Sequence, residues 1–424
     1  MPNMRERSLA VFPAGSNGEF NLPDDLAMVI SRGEGCRLWD SDGVEYLDFS
    51  IGWGSVLVGH ARTEVVEAVT AQTVRGSNFA YISENALNVA EEIVRLSPAC
   101  DLVRFCASGT EATMYCQRLA CAFTGRTKTL KFEGAYHGAS EVGVTSLFPD
   151  GPPAYPKPDP TSAGISHLVS PNVLVAPFND LVTTAAIVEA HGADLAAVIV
   201  EPLQRCTPPE PGFLEGLRVL TKDSGALLIF DEVVTGFRLA YGGAQEYYGV
   251  VPDLVAYGKA LGGGYPIGAF GGRAEIMDLV REDRMNRDTY VWMASSLGGN
   301  PISTAAAGAA LDVFSQPGVY EKLHGLGAYL RAGMNQALSQ RQITAQVIGD
   351  GPLAQVVFSD APVRDYRSTR RGDQDAGRRL ALGLFTRGIF LNPMGTKLYL
   401  SLAHDEAVCD AFLDRFDDAL ADVR

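Results

Sequence analysis

Short, largely apolar runs recur between helical segments from about residue 63 to residue 279: Leu102–Cys106, Thr129–Phe132, Ala196–Val200, Ala226–Phe230, Leu254–Tyr257 and Ile267–Phe270. Continuous apolar character, rather than alternation, suits strands buried on both faces, so the pattern predicts an α/β fold with a parallel sheet between helices. Val65, Val66, Ala68 and Val69 before Gly76 read as a helix with a glycine stop, and Leu87, Ala90, Ile93 and Val94 before Pro98 as another. Chains of this class bind ligands at the carboxyl edge of the sheet, which is where to look for chemistry.

At 424 residues the chain exceeds a single core, and two lobes are expected. Apolar residues make up 46% and charged residues 20%, which excludes wholesale disorder and a heptad-repeat rod. The net charge is -15 with no basic block, so a phosphate-backbone partner is disfavoured and nucleic acid is not expected. The first residues, MPNMRERSLAVFPAG, lack the apolar core of a secretory signal, and no apolar run reaches the ~18 residues that span a bilayer. The expectation is a cytoplasmic protein with no membrane partner. Its seven cysteines are thinly spread, and neither Cys100-x5-Cys106 nor Cys116-x4-Cys121 has a zinc spacing. All seven are expected to be small buried hydrophobes, and no metal site is expected.

Prolines at 149, 152, 153, 156, 158 and 160 make the stretch from Phe148 to Pro171 a surface loop, either an inert insertion or a flap over a cleft. Toward the C-terminus, Asp375–Thr386 reads as a helix stopped by Gly388, Ile389–Leu391 and Leu398–Leu402 as strands, and Asp405 as the cap of a last helix presenting Val408, Phe412, Phe416 and Leu420 on one face. Near the N-terminus, Gly35–Asp40 and Glu45–Phe49 flank a Ser41-Asp42-Gly43 turn and read as a hairpin that packs with the C-terminal lobe. The expected division is 1–62 as an N-terminal segment joining the small domain, 63–315 as the large domain and 316–424 as the C-terminal small domain.

Three constellations could carry chemistry. Ser108-Gly109-Thr110 follows the first apolar run and opens a helix, so it is either an anion cradle of free N–H groups and hydroxyls or a simple N-cap. Asp231 ends the run Leu227–Phe230, which places a carboxylate at the sheet edge. Lys259 follows Leu254–Tyr257 and precedes Gly262-Gly263-Gly264, in a chain with only seven lysines. A lysine there is desolvated, as a Schiff-base amine requires. Phosphate cradle, strand-end acid and strand-end lysine are together the parts that pyridoxal phosphate needs, and Tyr136-His137-Gly138 adds a ring to stack on it.

With these residues in place the sequence resembles the class III aminotransferases of pyridoxal-phosphate fold type I, in particular glutamate-1-semialdehyde 2,1-aminomutase and related transaminases. The resemblance runs from about Arg5 to Leu420. It rests on Ser108-Gly109-Thr110-Glu111-Ala112-Thr113-Met114, Lys131-Phe132-Glu133-Gly134-Ala135-Tyr136-His137-Gly138, Pro211-Gly212-Phe213-Leu214, Leu228–Arg238, Gly242–Gly249 and Gly258–Gly264. It implies a large domain with a mostly parallel seven-stranded sheet and a smaller α+β domain built from both termini. It also implies catalytic roles for Lys259, as the amine that holds the cofactor and moves the proton, and for Asp231, as the partner of the pyridine nitrogen. Val233 and Tyr136 would hold the two ring faces, with His137 beside them. Ser108, Gly109 and Thr110 would anchor the phosphate, and Gln204 would bond the ring hydroxyl, although Arg205-Cys206 departs from the aminomutase pattern. Relatives complete the phosphate site with a Thr from a second subunit; Ser296 in Ser295-Ser296-Leu297-Gly298-Gly299-Asn300-Pro301 keeps that hydroxyl, which implies a homodimer with shared sites.

The resemblance weakens on the substrate side. Relatives carry an arginine near the N-terminus where this chain has Gly15-Ser16-Asn17-Gly18-Glu19-Phe20, and near the C-terminus it has Asn392-Pro393-Met394-Gly395-Thr396-Lys397. Glu19, Trp53, Met394 and Lys397 are the implied pocket residues, with Lys397 available as a point charge and Glu19 favouring an amine over a dicarboxylate. The expected function is amino transfer between an amine or amino acid donor and a carbonyl acceptor in two half-reactions. The alternatives are an intramolecular aminomutase acting on an amino-aldehyde and a silent structural subunit.

Overall fold

A computed structural model describes residues 3–18, 20–287, 289–393 and 395–423. The chain divides into two compact units, one comprising Glu64–Gln316 with Arg364–Tyr366, the other Met1–Thr63, Pro317–Val363 and Arg367–Arg424.

The larger unit is built on seven strands: β1 (Leu102–Cys106), β2 (Lys128–Phe132), β3 (Val173–Ala176), β4 (Leu195–Val200), β5 (Leu227–Asp231), β6 (Leu254–Tyr257) and β7 (Gly268–Gly272). Their order across the sheet is β1-β7-β6-β5-β4-β2-β3. The pairs β3/β2, β2/β4, β4/β5 and β5/β6 are parallel, while β7 runs antiparallel to both its neighbours. The sheet is therefore the mostly parallel seven-stranded one expected. Every residue of β4 and β5 is buried, as their unbroken apolar sequence requires. Helix α1 (Gly109–Thr124) lays Ala112, Tyr115, Cys116, Leu119 and Ala120 over Ile199, Ile229, Ala256 and Phe270. The alternate residues Val198, Leu228 and Phe230 face the opposite side and are equally buried.

Strand β3 has no counterpart among the six apolar runs. It is four residues long and follows the proline-rich stretch, so its signal is lost against the loop before it. That stretch is tied to the body of the unit: Tyr155 donates to Glu133 Oε2 (2.8 Å), the Asp159 N–H to Ser146 Oγ (2.9 Å), and Pro156 O accepts the N–H of Val175 in β3 (3.1 Å).

In the smaller unit the N-terminal hairpin forms as expected, with Arg37–Asp40 antiparallel to Glu45–Asp48, and Ile389–Phe390 from the C-terminal region adds to Glu45–Asp48 in parallel. A second sheet joins Gln346–Ile348, Leu353–Val357 and Lys397–Tyr399. Asp405 caps the helix Glu406–Ala419 by accepting the Val408 N–H, and Val408, Phe412 and Phe416 are buried from it. Phe412 lies 4.6 Å from Phe49 and 5.8 Å from Phe416 between ring centroids, in the core that also takes Leu330 and Leu380.

Six cysteines are buried and Cys121 is half-buried, all as free thiols. Burial pushes Cys100, Cys106 and Cys409 up to about 12, so these are inert packing residues. Among the described residues no helix is long and apolar enough to cross a membrane.

Truncating Phe412 empties the meeting point of the N-terminal hairpin region and the last helix. Phe412→Ala is expected to lower the unfolding free energy of the smaller unit by about 3–5 kcal/mol, read by chemical denaturation; a change below about 0.5 kcal/mol would contradict this packing.

Candidate functional site

Most of the expected chemistry-bearing residues of the larger unit stand at or beyond carboxyl ends of its parallel-oriented strands. Ser108–Thr110 come two residues after β1, Tyr136–His137 after β2, Glu201–Arg205 after β4, Asp231–Val233 at the end of β5, and Lys259 after β6. The geometry draws several of them together. A Cβ on Gly109 would lie 2.8 Å from the Val233 methyls, and a Cβ on Gly258 would lie 3.4 Å from Val233 and 3.5 Å from the Gly109 Cα. Val233 thus fills the space between the start of α1 and the residue before Lys259, which only glycine at 109 allows.

At the head of α1 the Ser108 hydroxyl accepts the Glu111 N–H (3.2 Å), so the N-cap reading of this serine holds. The N–H groups of Gly109 and Thr110 take no protein acceptor among the described residues, leaving two donors at the positive end of a 16-residue helix. The Thr110 hydroxyl accepts the Ala139 N–H (3.2 Å), which binds the loop after β2 to the same helix start.

Asp231 is buried and its Oδ2 lies 2.7 Å from His137 Nδ1, while Oδ1 accepts the Val233 N–H at 3.1 Å. The carboxylate accepts, so Nδ1 carries the proton in this pair. His137 is itself fixed, because its carbonyl accepts from Thr113 Oγ1 at 2.7 Å. Its Nε2 is buried without a protein partner among the described residues, and so is Gln204 Oε1, whereas Gln204 Nε2 donates to Glu133 O at 2.7 Å. In the β5/β6 register Asp231 faces Ala256, three residues before Lys259. Lys259 is half-buried with φ +44°, a left-handed conformation that costs a lysine steric strain and is found where surroundings impose it.

Two residues of the site are not legible as functional in the sequence. Glu201 is buried and its carboxylate accepts the N–H of Tyr136 (2.7 Å) and of Arg205 (3.0 Å), joining the loops after β2 and β4. Lys131 is fully buried in β2, and its ammonium donates to the carbonyls of Ala135 (3.1 Å), Gly143 (2.9 Å) and Thr145 (2.5 Å), gathering the loop that carries Tyr136 and His137. The available signal is a lysine inside an otherwise apolar strand. Lys222 and Lys322 are exposed on helices, as expected.

Ser296 is exposed, and its carbonyl accepts from Asn78 Nδ2 (3.0 Å). Trp53 and Lys397 belong to the smaller unit, Trp53 packed edge-on against Phe20 at 5.5 Å and Lys397 Nζ 4.8 Å from the Tyr399 ring. Glu19 and Met394 lie outside the described residues.

Burial pushes Lys131 down to about 7 from the ordinary lysine value. Between that value and about 10.5 the unfolded chain therefore binds the extra proton, so this group makes stability rise with pH across the window, and its penalty is complete below it. Wild type should gain a few kcal/mol relative to Lys131→Met from pH 7 to about 10.5 in denaturation experiments. Parallel profiles would contradict a buried titrating lysine.

The arrangement fits a phosphate-bearing aromatic cofactor: two unsatisfied N–H donors for the anion, a buried carboxylate for a ring nitrogen, an orphaned amide oxygen for a ring hydroxyl, and a methyl-lined floor at Val233. Comparison with known proteins agrees. Residues 21–420 match the family model described as aminotransferase class-III. The chain is 39% identical over 421 residues to the glutamate-1-semialdehyde 2,1-aminomutase of Desulfitobacterium hafniense (strain DSM 10664 / DCB-2), covering 98% of this chain and 96% of that protein. It superposes on the crystal structure of an omega-transaminase from Sphaerobacter thermophilus with a TM-score of 0.93 at 35% identity, covering 99% of this chain and 97% of that one. A transaminase with pyridoxal phosphate (PLP) bound gives a TM-score of 0.89 at 30% identity, covering 99% and 96%. The chain belongs to the class III aminotransferases, enzymes of pyridoxal-phosphate fold type I, and its cofactor is pyridoxal phosphate.

Proposed function

We propose that this enzyme is a transaminase that moves an amino group from an amine or amino acid donor to a carbonyl acceptor in two half-reactions, working as a homodimer. When bound, pyridoxal phosphate supplies an aldehyde that captures amines and a cationic ring that takes up the electron pair left when the substrate carbon loses its proton. The observation that carries the reading is the Asp231–His137 pair, a carboxylate buried at the sheet edge and held at 2.7 Å by an imidazole that is itself anchored. In this reading Asp231 holds the proton on the ring nitrogen, and His137 keeps the carboxylate aimed. Lys259 provides the amine that binds the aldehyde and later carries the proton between carbons. Gly109, Thr110 and Ser108 bind the phosphate, Gln204 Oε1 accepts from the ring hydroxyl, and Val233 and Tyr136 confine the ring from its two faces.

The dimer is supported by the apolar side chains Phe79, Tyr81, Ile82, Trp292 and Leu297, all exposed in the single chain along the two segments that the Asn78–Ser296 hydrogen bond joins. A second copy covering them would bring Ser296 to a shared site. The aminomutase alternative is favoured by the sequence relatives that carry that name. Transamination is favoured by the loss of the N-terminal arginine and by the fold likeness to the omega-transaminase.

Protein mixed with pyridoxal phosphate is expected to show a visible absorption band, which an amino donor bleaches in a single turnover until a carbonyl acceptor is added. Lys259→Ala should lose the band and at least about a thousandfold in turnover. Repeated conversion of an amino-aldehyde to its isomer without any acceptor would overturn the transaminase reading in favour of the mutase.

A further inference from the structure

The turn Gln204-Arg205-Cys206-Thr207 after β4 is closed on itself: the Gln204 N–H donates to Thr207 O (3.1 Å) and the Thr207 N–H to Gln204 O (2.8 Å). Its first central residue has φ +59°, a left-handed conformation that turns of this kind ordinarily give to glycine. Here the position carries an arginine, and the backbone is held there by Glu201, whose carboxylate accepts the Arg205 N–H at 3.0 Å. A large side chain kept on strained backbone beside a site is a mark of function rather than of folding.

The side chain is as constrained as the backbone. Arg205 Nε donates to Gly134 O (3.2 Å), and the guanidinium carbon lies 5.7 Å from the Tyr136 ring centre and 6.0 Å from that of Phe148. One edge of the planar group is thus tied to the Tyr136 loop and its position is set by two rings. The two terminal nitrogens have no protein hydrogen bond or ion pair among the described residues, and Glu201, the carboxylate that serves the Arg205 backbone, also accepts the Tyr136 N–H. What remains is a rigid cationic fork next to the tyrosine that flanks the reaction centre, with its outer edge unengaged. That edge matches a carboxylate in two parallel hydrogen bonds.

We infer that Arg205 is the specificity-determining cation of this enzyme: it binds the carboxylate of an amino acid donor, in a chain whose N-terminal segment Gly15–Phe20 contains no arginine. The inference rests on the transaminase reading above and names the substrate class it acts on, amino acids rather than simple amines.

The test uses the cofactor-loaded full chain with β-alanine, 4-aminobutyrate and L-alanine, each paired with the primary amine that lacks its carboxylate, and compares wild type with Arg205→Gly, Arg205→Gln and Arg205→Lys. Bleaching of the wild-type band by any donor tests the transaminase reading; the ratio between paired donors tests Arg205. For the preferred carboxylated donor, Arg205→Gly and Arg205→Gln should raise KM about ten- to hundredfold while kcat stays within about threefold, the amines should be unaffected, and Arg205→Lys should recover part of the loss. Propionate, titrated as a non-reacting ligand against the cofactor band, should weaken by the same factor. Because glycine suits the left-handed backbone, Arg205→Gly should fold and hold cofactor as tightly as wild type. The inference is overturned by an unchanged donor ratio, by equal losses with both donor classes, by weakened cofactor binding at an unchanged ratio, or by transfer of the carboxylate preference to Lys397, seen as its loss in Lys397→Met alone.

Discussion

A carboxylate buried at the end of a parallel strand needs hydrogen-bond donors in place of the water it has lost, and in this protein the imidazole of His137, 2.7 Å from Asp231, is one of them. The rest of the site is arranged around keeping that pair in place. Thr113, on the first turns of α1, holds the His137 carbonyl. The Lys131 ammonium collects the carbonyls that follow Tyr136 and His137, and Glu201 takes the Tyr136 N–H from the other side. A loop with no regular structure is made rigid by two buried polar side chains that spend themselves on backbone groups. Preorganisation of this sort lets a site present charge without reorganising during reaction.

The sheet explains why these loops meet. Parallel strands place all their carboxyl ends along one edge, so residues far apart in sequence, 108, 137, 201, 231 and 259, are delivered to one line. Glycine at 109 then permits the approach of α1 to Val233, which also lies beside Gly258 at the start of the Lys259 turn. Lys259 and Arg205 are among the non-glycine residues held in left-handed backbone, where side-chain position is kept at the expense of local comfort.

Much of this was legible in the sequence. The apolar runs locate six of the seven strands to within about two residues, because burial on both faces leaves an unbroken signature. The four-residue strand Val173–Ala176 escapes, since a short run behind a proline-rich loop has neither the length nor the flanking signals of a strand. The N-terminal hairpin and the Asp405-capped helix follow local rules of turn and cap and appear as expected. Ser108, Asp231 and Lys259 are visible because each stands at or just after the end of a strand. By contrast, the work of Lys131 and Glu201 is done on backbone atoms of loops, and no spacing in the sequence announces which carbonyl a buried ammonium will meet. Arg205 shows only as a departure from the family pattern; its left-handed backbone and its rings become evident only in three dimensions.

The account turns on whether the buried Asp231–His137 pair gives the cofactor ring a proton to hold. The most direct measurement is the nitrogen chemical shift of pyridoxal phosphate labelled with 15N in the ring, bound to the wild-type chain and to Asp231→Asn. A ring nitrogen that is protonated in wild type across pH 6 to about 9 and neutral in the variant is the result expected here. A neutral nitrogen in the wild-type enzyme would contradict the central claim.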